Sequence, residues 1–520
     1  MTSDLLLAVD VGTQSVRAIA FDREGQPWGR ARVPFEPAFV SERPGWAERD
    51  AESYWQAIVE ACGALWRQVD PARIAALALT TQRGTVVSAD ADGRPLRPAI
   101  GWADQRLCSA PPPLGALWTL AFRAAGAYGL VQQLQRQAEA NWLAQHEAAR
   151  WAQTARFTLL SGWLTHRLVG DWVDSAACQV GYLPFDYRHQ RWAGRFDWRW
   201  RALSVRASQL PRLVAPAQPL GTLSAEAAAA LGLAARLPVI AAAADKACEV
   251  LGSGALAPTD AHLSFGSAAT INTTQARYVE VQRLLPAYPA ALPGAFNTEI
   301  QIERGFWLVS WFKNEFAPLE RALAAERGIA PEALFDELIA SVPAGSEGLT
   351  LQPFWAPGLR EPGPEARGAI IGFGGEHTRA HLYRALIEGL AYGLRAGRER
   401  IEAKLKIRLT RLVIAGGGAQ SDGAMQIAAD VFGLTAERPQ VAEASALGAA
   451  MLAAVGLGWH ADARTAAAAM ARIGRRFEPQ PDAVRLYDQL YRQVYQPLYG
   501  RLAPLYRRLR VITAAASRSG

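Results

Sequence analysis

The chain opens with a pattern of apolar positions that is typical of a buried β-hairpin. Residues 5–9 form a continuous apolar run that ends at Asp10, and a second run covers residues 16–21 after the sequence Val-Gly-Thr-Gln. Both runs have the length of strands and lack the polar alternation of a half-exposed sheet, so both strands are predicted to lie inside a layered sheet. Residues 74–80 form a third run of this kind.

Helical periodicity replaces these strand-like runs in much of the first half. Apolar residues recur at helical spacing over residues 52–66 and over a long stretch, residues 117–150. Residues 237–245 again indicate a strand, which ends at Asp245 and leads into a predicted helix over residues 247–251.

The second half repeats the opening pattern. Residues 261–270 combine two strand-like runs with a Gly266-Ser267 turn, as the first hairpin does around Gly12 and Thr13. The repeat favours two domains of similar design, although such turns are also common as purely structural features. Further elements are predicted at residues 380–396 (helix), 411–418 (strand and glycine turn), 425–432 (helix), 444–455 (a helix of small residues that can pack closely) and 486–502 (an amphipathic C-terminal helix).

The length of 520 residues exceeds what one hydrophobic core holds, because single cores stop growing at ~250–300 residues. We therefore predict two domains, residues 1–254 and 255–520, with a central cleft. A composition of 50% apolar and 20% charged residues is ordinary for a soluble globular protein and excludes a disordered chain or a fibrous repeat.

The net charge of +7 initially suggests nucleic-acid binding. However, residues 471–520 contain ten arginines and three acidic residues, so this stretch alone accounts for the whole excess. The rest of the chain is neutral overall and has no domain-wide basic field, so no nucleic-acid partner is expected.

Cysteine usage and hydropathy point to a cytoplasmic protein. The four cysteines lie far apart without a C-x-x-C pair, which makes a disulfide scaffold or a zinc ribbon unexpected and favours a reducing compartment. No stretch reaches the 18 or so apolar residues of a membrane span, so no membrane partner is expected.

Three glycine loops that follow strands are candidate phosphate or nucleotide sites. In the first, Thr13 and Gln14 can donate to phosphate oxygens and Asp10 can hold a metal ion. Gly266-Ser267 follows the same logic without the acid, and residues 415–421 offer bare backbone to a base or a ribose. The third loop lacks the lysine of a P-loop and does not fit the dinucleotide pattern.

Asp245 is the fourth candidate. A carboxylate that closes an apolar strand is costly unless it caps a helix or does chemistry, and both explanations stay open at this stage. In the second case it can accept a proton from a substrate hydroxyl, as an attacking alcohol requires in phosphoryl transfer.

These motifs in this order resemble the FGGY carbohydrate kinases, from about residue 5 to residue 500. The matching stretches are Asp10-x-Gly-Thr-x-x-x-Arg17, residues 372–389, Gly416-Gly-Gly-Ala-Gln-Ser421 and Glu443-Ala-Ser-Ala-Leu-Gly-Ala-Ala450. The resemblance implies an α/β fold of two ribonuclease-H-like domains, as in actin-like ATPases. It also implies an enzyme that phosphorylates a sugar or polyol with ATP and Mg²⁺.

The resemblance assigns a role to each matching residue. Asp245 falls on the family's catalytic base and Asp10 on its magnesium site. The residues that match ATP contacts are Thr13, Gln14, Arg17, Gly266, Ser267, Gly417, Gly418, Gln420 and Ser421. The predicted substrate site consists of Gln82, Arg83, Trp102, Asp104, Asp245 and Lys246.

Three departures from the family pattern affect the substrate and nucleotide sites. Gly84 stands where glycerol kinases carry Glu, which leaves more room and removes one hydrogen-bond acceptor for a small triol. Lys246 follows the catalytic Asp where Gln or Asn is usual; its cation can bind an anionic or highly hydroxylated substrate, or it can pair with Glu249. Residues 303–311 are shorter than the family's glycine-rich stretch, which bears on the nucleotide site.

Two other patterns resemble a nucleic-acid-binding segment and a metal site, and a structural role is predicted for both. Residues 188–206 interleave six arginines with tryptophans, a composition that can stack bases, but a surface hairpin and helix anchored by tryptophan under arginine stems is the favoured interpretation. His377 and His381 have the i, i+4 spacing of metal ligands without a third ligand nearby, so they are predicted to be core or capping histidines.

The sequence therefore predicts ATP-dependent phosphorylation of a ketopentose such as xylulose or ribulose. Asp245 would act as general base, and Mg²⁺-ATP as donor. A polyol kinase acting on glycerol or erythritol, and a catalytically silent sugar-sensing homologue, stay open as alternatives, as does a homodimer.

Overall fold

A computed structural model describes residues 3–356, 358 and 362–516. Up to residue 254 the chain forms these elements: β1 (Leu5–Val11), β2 (Ser15–Phe21), β3 (Pro27–Pro34), β4 (Glu48–Arg49), α1 (Ala51–Leu65), β5 (Ile74–Thr81), β6 (Val86–Ala89), β7 (Ala99–Ile100), α2 (Ala116–Ala124), α3 (Tyr128–Gln137), α4 (Glu139–His146), α5 (Ala148–Gln153), β8 (Arg156–Leu159), α6 (Leu160–Val169), β9 (Val173–Ser175), β10 (Phe185–Asp186), β11 (Arg191–Trp192), α7 (Arg199–Ala202), β12 (Arg212–Val214), β13 (Pro219–Thr222), α8 (Ala225–Leu231), β14 (Pro238–Ala241) and α9 (Asp245–Gly252).

The remaining elements follow in chain order. They are β15 (Asp260–Phe265), β16 (Ala269–Gln275), β17 (Tyr288–Pro289), β18 (Phe296–Ile302), α10 (Trp307–Phe316), α11 (Pro318–Arg327), α12 (Phe335–Ala340), β19 (Thr350–Gln352), β20 (Ala369–Ile371), α13 (Arg379–Leu405), β21 (Arg411–Ala415), α14 (Asp422–Phe432), β22 (Ala436–Pro439), α15 (Ala444–Gly456), α16 (Ala463–Met470), β23 (Ile473–Phe477), α17 (Pro481–Leu490) and α18 (Gln496–Ala516). Helices and strands are interspersed along the whole chain, in agreement with the predicted α/β class.

Contacts divide the chain into two compact units. The first unit contains Met1–Gly254, Gln275–Asn297 and Glu443–Ala471, and the second contains Ala255–Thr274, Thr298–Ala442 and Arg472–Gly520. The first change of unit coincides with the predicted boundary at residue 254, but two later segments belong to the first unit. The assignment of function to residues 1–254 and 255–520 stays a prediction.

The first unit is built on a six-stranded sheet with the order β13-β14-β5-β1-β2-β3. β1 and β2 form the predicted antiparallel hairpin, while β14, β5 and β1 run parallel. Leu5, Leu7 and Val9 face a core shared with α1, α6 and α8. α15 packs against the same three parallel strands, and it does not contribute to that core. Helices therefore cover both faces, which explains the uninterrupted apolar runs of these strands.

The second unit is built on a similar sheet, in which β18, β16, β15, β21, β22 and β23 are neighbours in this order. β15 and β16 form the second predicted hairpin, and β15, β21 and β22 run parallel. The small-residue helix predicted at residues 444–455 is observed as α15, but it lies in the first unit, where it packs against α9.

The long helical stretch predicted at residues 117–150 is wrong as a single element, because it forms the four short helices α2–α5. Gly126 adopts a left-handed conformation with φ of 63° between α2 and α3. Ala138 and Glu147 leave helical backbone geometry before α4 and α5. α3 and α4 bury apolar residues such as Val131 and Leu143, whereas α2 and α5 contribute only partly buried aromatic side chains to the neighbouring core.

The C-terminal helix is observed with one irregularity. Tyr487, Tyr491 and Tyr495 are buried, as the tyrosine spacing predicted, and a π-helical turn spans Tyr491–Tyr495 between α17 and α18. In the part of the chain that the structure describes, no helix combines the length and the apolar character needed to cross a membrane.

Candidate active site

Three predicted site segments meet at one edge of the sheet of the first unit. β1, β5 and β14 are adjacent and parallel, and the carboxyl ends of parallel strands lie at the same edge. Asp10 is the penultimate residue of β1, Gln82 and Arg83 follow β5, and Asp245 follows β14 and begins α9. Residues that are far apart in sequence are thus brought together in the way that open α/β sheets build ligand sites.

Asp10 is a buried carboxylate held by the hairpin itself. It is 4% exposed and lies opposite Arg17 in the register of β1 and β2. Arg17 donates to its Oδ2 over 3.1 Å. Burial raises the pKa of Asp10 to about 6; the Arg17 charge opposes this shift, and the neighbouring charges of Asp245 and Glu249 add to it.

Thr13 joins the first loop to the predicted substrate residues. Its hydroxyl donates to Gln82 Oε1 over 2.7 Å and accepts from Trp102 Nε1 over 2.9 Å. Gln82 Nε2 in turn donates to the Tyr54 hydroxyl over 3.0 Å. The Thr13 proton, predicted to serve a phosphate, is therefore directed at Gln82 in this arrangement, while the Gln14 side chain is exposed.

Asp245 lies at the first turn of α9, among charged neighbours. It is half-buried, and the Lys246 backbone N–H donates to its Oδ1 over 2.8 Å. Burial raises the pKa of Asp245, while the positive charges of Lys246 and Arg83 oppose that shift. Lys246 Nζ donates to Glu249 over 2.8 Å, so the ion pair proposed from the sequence is present.

The loop after β5 shows how Gly84 shapes this region. Its φ of 66° is one that glycine adopts without strain, and a side chain there would begin 3.3 Å from Trp102 Cβ. The Gly84 N–H donates to the Val180 carbonyl over 3.0 Å. A side chain at position 84 would therefore press against Trp102, and glycine lets the loop pass close to that residue.

Asp104 belongs to a network that holds its own loop. Its Oδ2 accepts from the Ala47 N–H and its Oδ1 from the Arg106 N–H, over 2.7 and 2.9 Å. Arg106 also pairs with Glu48 over 2.6 Å and lies 3.9 Å from the Trp46 ring centroid. Both Asp104 oxygens are engaged within the protein, and a direct contact with substrate stays a prediction.

In the second unit, Gly266 and Ser267 occupy the turn between β15 and β16. Their carbonyls accept from the N–H groups of Phe306 and Trp307 over 3.0 and 3.2 Å. Gly305 approaches so closely that a side chain on it would begin 2.1 Å from the Ala269 nitrogen. Residues 303–311, noted as short in the sequence, therefore support the second glycine loop.

Phe306 connects that loop to the predicted adenosine loop. Its ring stacks on Phe265 with centroids 4.4 Å apart, and a side chain on Gly418 would begin 2.3 Å from the same ring. Sequence reasoning did not identify Phe306. Its partners are distant along the chain, and only the Glu-Arg-Gly-Phe turn preceding α10 hinted at a tight approach.

Among the predicted adenosine residues, some are exposed and others are hydrogen-bonded within the protein. Gly417 and Gln420 are exposed, and space is open at the Cα of Gly417. Ser421 instead caps α14: its hydroxyl accepts from the Ala424 N–H over 3.0 Å and donates to Asp336. A planar ligand can approach the exposed backbone at Gly417, while the hydrogen bonds of Ser421 hold the loop in place.

The candidate magnesium site lies at the carboxylates of the first unit. Among the described residues, no three His, Cys, Asp or Glu side chains cluster as a metal site would require. Mg²⁺ is usually held by one or two carboxylates together with phosphate oxygens, so the neighbouring Asp10 and Asp245 fit it. Burial, with a smaller contribution from the Asp245 charge, raises the pKa of Asp10, and a bound cation would favour its ionised form.

The two other sequence patterns are structural. His381 forms a capping box with Thr378 at the start of α13, as the capping interpretation predicted, and His377 Nδ1 accepts from the Gly374 N–H over 2.7 Å. Trp192 and Trp200 donate their indole N–H groups to the carbonyls of Pro211 and Ala193, which agrees with tryptophans that anchor a surface hairpin and helix.

Comparisons with known proteins cover nearly the whole chain. A model of the N-terminal domain of the FGGY family of carbohydrate kinases matches residues 5–252, and a model of the C-terminal domain matches residues 261–457. A glycerol kinase of Dechloromonas aromatica is 31% identical over 498 residues, 92% of this chain and 94% of its own length. A xylulose kinase of Staphylococcus epidermidis is 26% identical over 532 residues, 99% of this chain and 100% of its own length.

A solved structure agrees with these matches. The xylulose kinase from Rhodospirillum rubrum superposes with a TM-score of 0.78 at 27% identity, over 97% of this chain and 100% of its own. This confirms the predicted fold class, a mixed α/β protein of the actin-like ATPase type with two domains and a C-terminal helix.

Proposed function

Because the chain belongs to the FGGY family of carbohydrate kinases, and is therefore a sugar kinase, we propose that it phosphorylates a ketopentose such as xylulose or ribulose from Mg²⁺-ATP. One observation carries the assignment of the site. Asp10, Arg83 and Asp245 lie at or after the ends of the adjacent parallel strands β1, β5 and β14. The Asp245 charge adds to the raised pKa of Asp10, and the Arg83 charge opposes the raised pKa of Asp245.

Asp245 is the proposed general base. The Lys246 N–H fixes the carboxylate through Oδ1, so Oδ2 is the oxygen assigned to take the proton from the acceptor hydroxyl. Burial raises the pKa of Asp245, which strengthens it as a base. The deprotonated oxygen then attacks the γ-phosphorus in line with the departing oxygen.

The other residues of the first unit position the reactants. Arg83 is proposed to orient an acceptor hydroxyl next to Asp245, with Gln82 and Trp102 as further substrate contacts held in place through Thr13. Mg²⁺ held by Asp10 would neutralise the charge that develops on the transferred phosphoryl group. Arg17 keeps the buried Asp10 ionised for that purpose.

The second unit is proposed to bind the nucleotide. Gly266 and Ser267 offer backbone and hydroxyl groups to phosphate oxygens, and Gly417, Gly418 and Gln420 offer a flat, side-chain-poor surface to adenosine. The Phe306 ring, packed between the two loops, would keep their separation constant.

The choice of acceptor rests on Gly84. Glycine at position 84 supplies no hydrogen-bond acceptor for a small triol, which favours a ketopentose over glycerol. The Gln82-Arg83 pair and the 31% identity to a glycerol kinase favour a polyol such as glycerol or erythritol as the second candidate.

The test is ATP consumption with xylulose, ribulose, glycerol and erythritol in turn. We expect the highest kcat/KM with a ketopentose, and Asp245→Asn is expected to lower kcat by about 10²- to 10⁴-fold, the usual contribution of a general base. Asp171→Asn, an exposed aspartate of the same unit, is the matched control and should retain full activity.

Two outcomes would contradict the proposal. Full activity of the Asp245→Asn variant would remove Asp245 from the chemistry. Binding of a sugar without any ATP consumption would favour the silent sugar-sensing homologue.

A further inference from the structure

A distant segment of the chain belongs to the first unit and reaches the predicted substrate residues. Gln275–Asn297 follows β16 in sequence, yet its contacts assign it to the first unit. Gln190 Nε2 donates to the Ala295 carbonyl over 2.8 Å, and Arg283 donates to the Ala125 carbonyl over 2.5 Å. The segment is therefore tied down at both ends of the stretch that carries Tyr288.

Tyr288 lies against Arg83. The Arg83 guanidinium carbon is 5.1 Å from the centroid of the Tyr288 ring, within the range of a cation–π contact. Both side chains are half-buried, so the contact is partly shielded from water. The Arg83 charge also reaches Asp245, because it lowers the pKa of that carboxyl.

Tyr187 supports Tyr288 from the other side and closes a ring of contacts. The two tyrosine rings meet edge to face with centroids 6.0 Å apart. The Tyr187 hydroxyl donates to the Gly181 carbonyl over 3.2 Å, and the adjacent Val180 carbonyl accepts from the Gly84 N–H. Gly84 is the neighbour of Arg83, so the loop after β5 is linked to Tyr288 by two routes.

We propose that Tyr288 is a positioning residue that holds the Arg83 guanidinium at the acceptor site beside Asp245. The role of Arg83 toward the acceptor rests on the proposed function. The contact between Arg83 and Tyr288 is observed independently of it. Without the ring, Arg83 samples more rotamers, and each acceptor that binds must first order it. The acceptor KM then rises, while the KM for ATP is unaffected, because none of the residues assigned to ATP contacts Tyr288 in the interactions described above.

The same segment provides a matched control. Tyr278 lies 5.2 Å from the Arg188 guanidinium carbon, the same type of contact as that of Tyr288, and Arg188 has no predicted role at the site. Tyr278→Leu removes a ring from the same segment and should leave the kinetics unchanged.

The experiment compares Tyr288→Leu, Tyr288→Phe and Tyr278→Leu by two readouts. The first is the kcat and KM for the preferred acceptor of the panel and for ATP. The second is the rate at which phenylglyoxal modifies Arg83, followed by peptide mass spectrometry, which needs no activity.

We expect Tyr288→Leu to raise the acceptor KM by about 2- to 30-fold, the range that a cation–π contact supports, with the ATP KM unchanged. Arg83 modification should accelerate in the same variant. Tyr288→Phe keeps the ring face and should restore both values.

Unchanged Arg83 modification in Tyr288→Leu would overturn the inference, whether or not the protein consumes ATP. Equal effects of Tyr288→Leu and Tyr278→Leu would reduce Tyr288 to a structural residue of the segment and also overturn it. If the wild type phosphorylates none of the four acceptors, the proposed function fails, and the modification rates still decide the role of Tyr288.

Discussion

At the scale of single residues, the site combines groups that stabilise the fold with groups that weaken it. Arg17 forms an ion pair with Asp10, and Lys246 forms one with Glu249. These pairs neutralise part of the buried negative charge. Asp10 nevertheless keeps a raised pKa, which means that its ionised form is less stable in the folded protein than in the unfolded chain. Such a cost is common where a carboxylate is kept for function.

Asp10→Asn is expected to stabilise the protein while it removes activity. A pKa raised from 3.8 to about 6 corresponds to about 3 kcal/mol at pH 8, at 1.36 kcal/mol for each unit. The raised pKa contributes fully to the stability of the folded state at pH values below 3.8, and this contribution is lost as the pH rises through about 6. The gain from the substitution should therefore be about half as large at pH 5.

Thermal unfolding of both proteins at pH 8 and pH 5 measures this difference. Asp171→Asn, at an exposed position, should show no pH-dependent change relative to the wild type. An Asp10→Asn protein that melts below the wild type at pH 8 would show that the Arg17 pair outweighs burial.

The sequence located the residues with local motifs and missed those whose role arises from packing. Asp10 and Asp245 end apolar strands, and their place at one sheet edge follows from the parallel strands. Tyr288 and Phe306 have no comparable signal, because their partners Arg83 and Gly418 lie far away along the chain. Likewise, no local pattern revealed that both oxygens of Asp104 are bonded within its own loop.

At the scale of elements, α9 and α15 form the tightest contact around the site. A side chain on Gly448 would begin 2.0 Å from the Cys248 carbonyl, and one on Gly252 would begin 2.0 Å from the Ala444 carbonyl. The two helices therefore touch backbone to backbone, as the small residues of α15 predicted. Because Asp245 is the first residue of α9, this helix crossing also helps to fix the position of the proposed catalytic carboxylate.

Gly448→Ala is expected to destabilise the protein by about 1–3 kcal/mol, the usual range for overpacking, and to lower kcat by displacing α9. Gly63→Ala is the matched control: it lies within α1, where a new side chain meets nothing within 4 Å. Because alanine is the better helix former, Gly63→Ala should stabilise by about 0.5–1 kcal/mol. Chemical denaturation gives both values, and equal effects of the two substitutions would contradict the packing argument.

Element type was predictable where one pattern dominated, and element length was not. The two hairpins, β5, β21 and the helices α13–α15 follow their apolar periodicity closely. Residues 117–150 do not form the single helix that their periodicity suggested. Gly126, Ala138 and Glu147 leave helical geometry and separate the four short helices, although the apolar spacing continues past them. The π-helical turn at Tyr491–Tyr495 likewise has no signature in the spacing of the tyrosines.

At the scale of the whole molecule, several arginines of the positively charged C-terminal stretch form ion pairs within the second unit. Arg475 pairs with Asp422, Arg476 with Glu437, and Arg507 with Glu365. These three C-terminal arginines thus pair with acidic residues of other elements, and residues 1–470 are neutral overall, with 45 basic and 45 acidic residues.

We therefore predict that the protein does not bind nucleic acid. An electrophoretic mobility assay at physiological salt with duplex and single-stranded DNA should show no complex, because nonspecific binding depends on unpaired cationic groups that release counterions. A complex that weakens steeply as salt is raised would contradict this prediction.

Because Glu443–Ala471 belongs to the first unit, that unit cannot be completed during translation until this late segment has been synthesised. α15 covers β1, β5 and β14, yet it leaves the ribosome roughly 190 residues after Gly254. Translation at ~5–20 residues per second needs about 10–40 s for that interval. Until then the nascent sheet exposes one apolar face, on which general chaperones act. Asp10 and Asp245 consequently acquire their final surroundings only when most of the polypeptide has already been made.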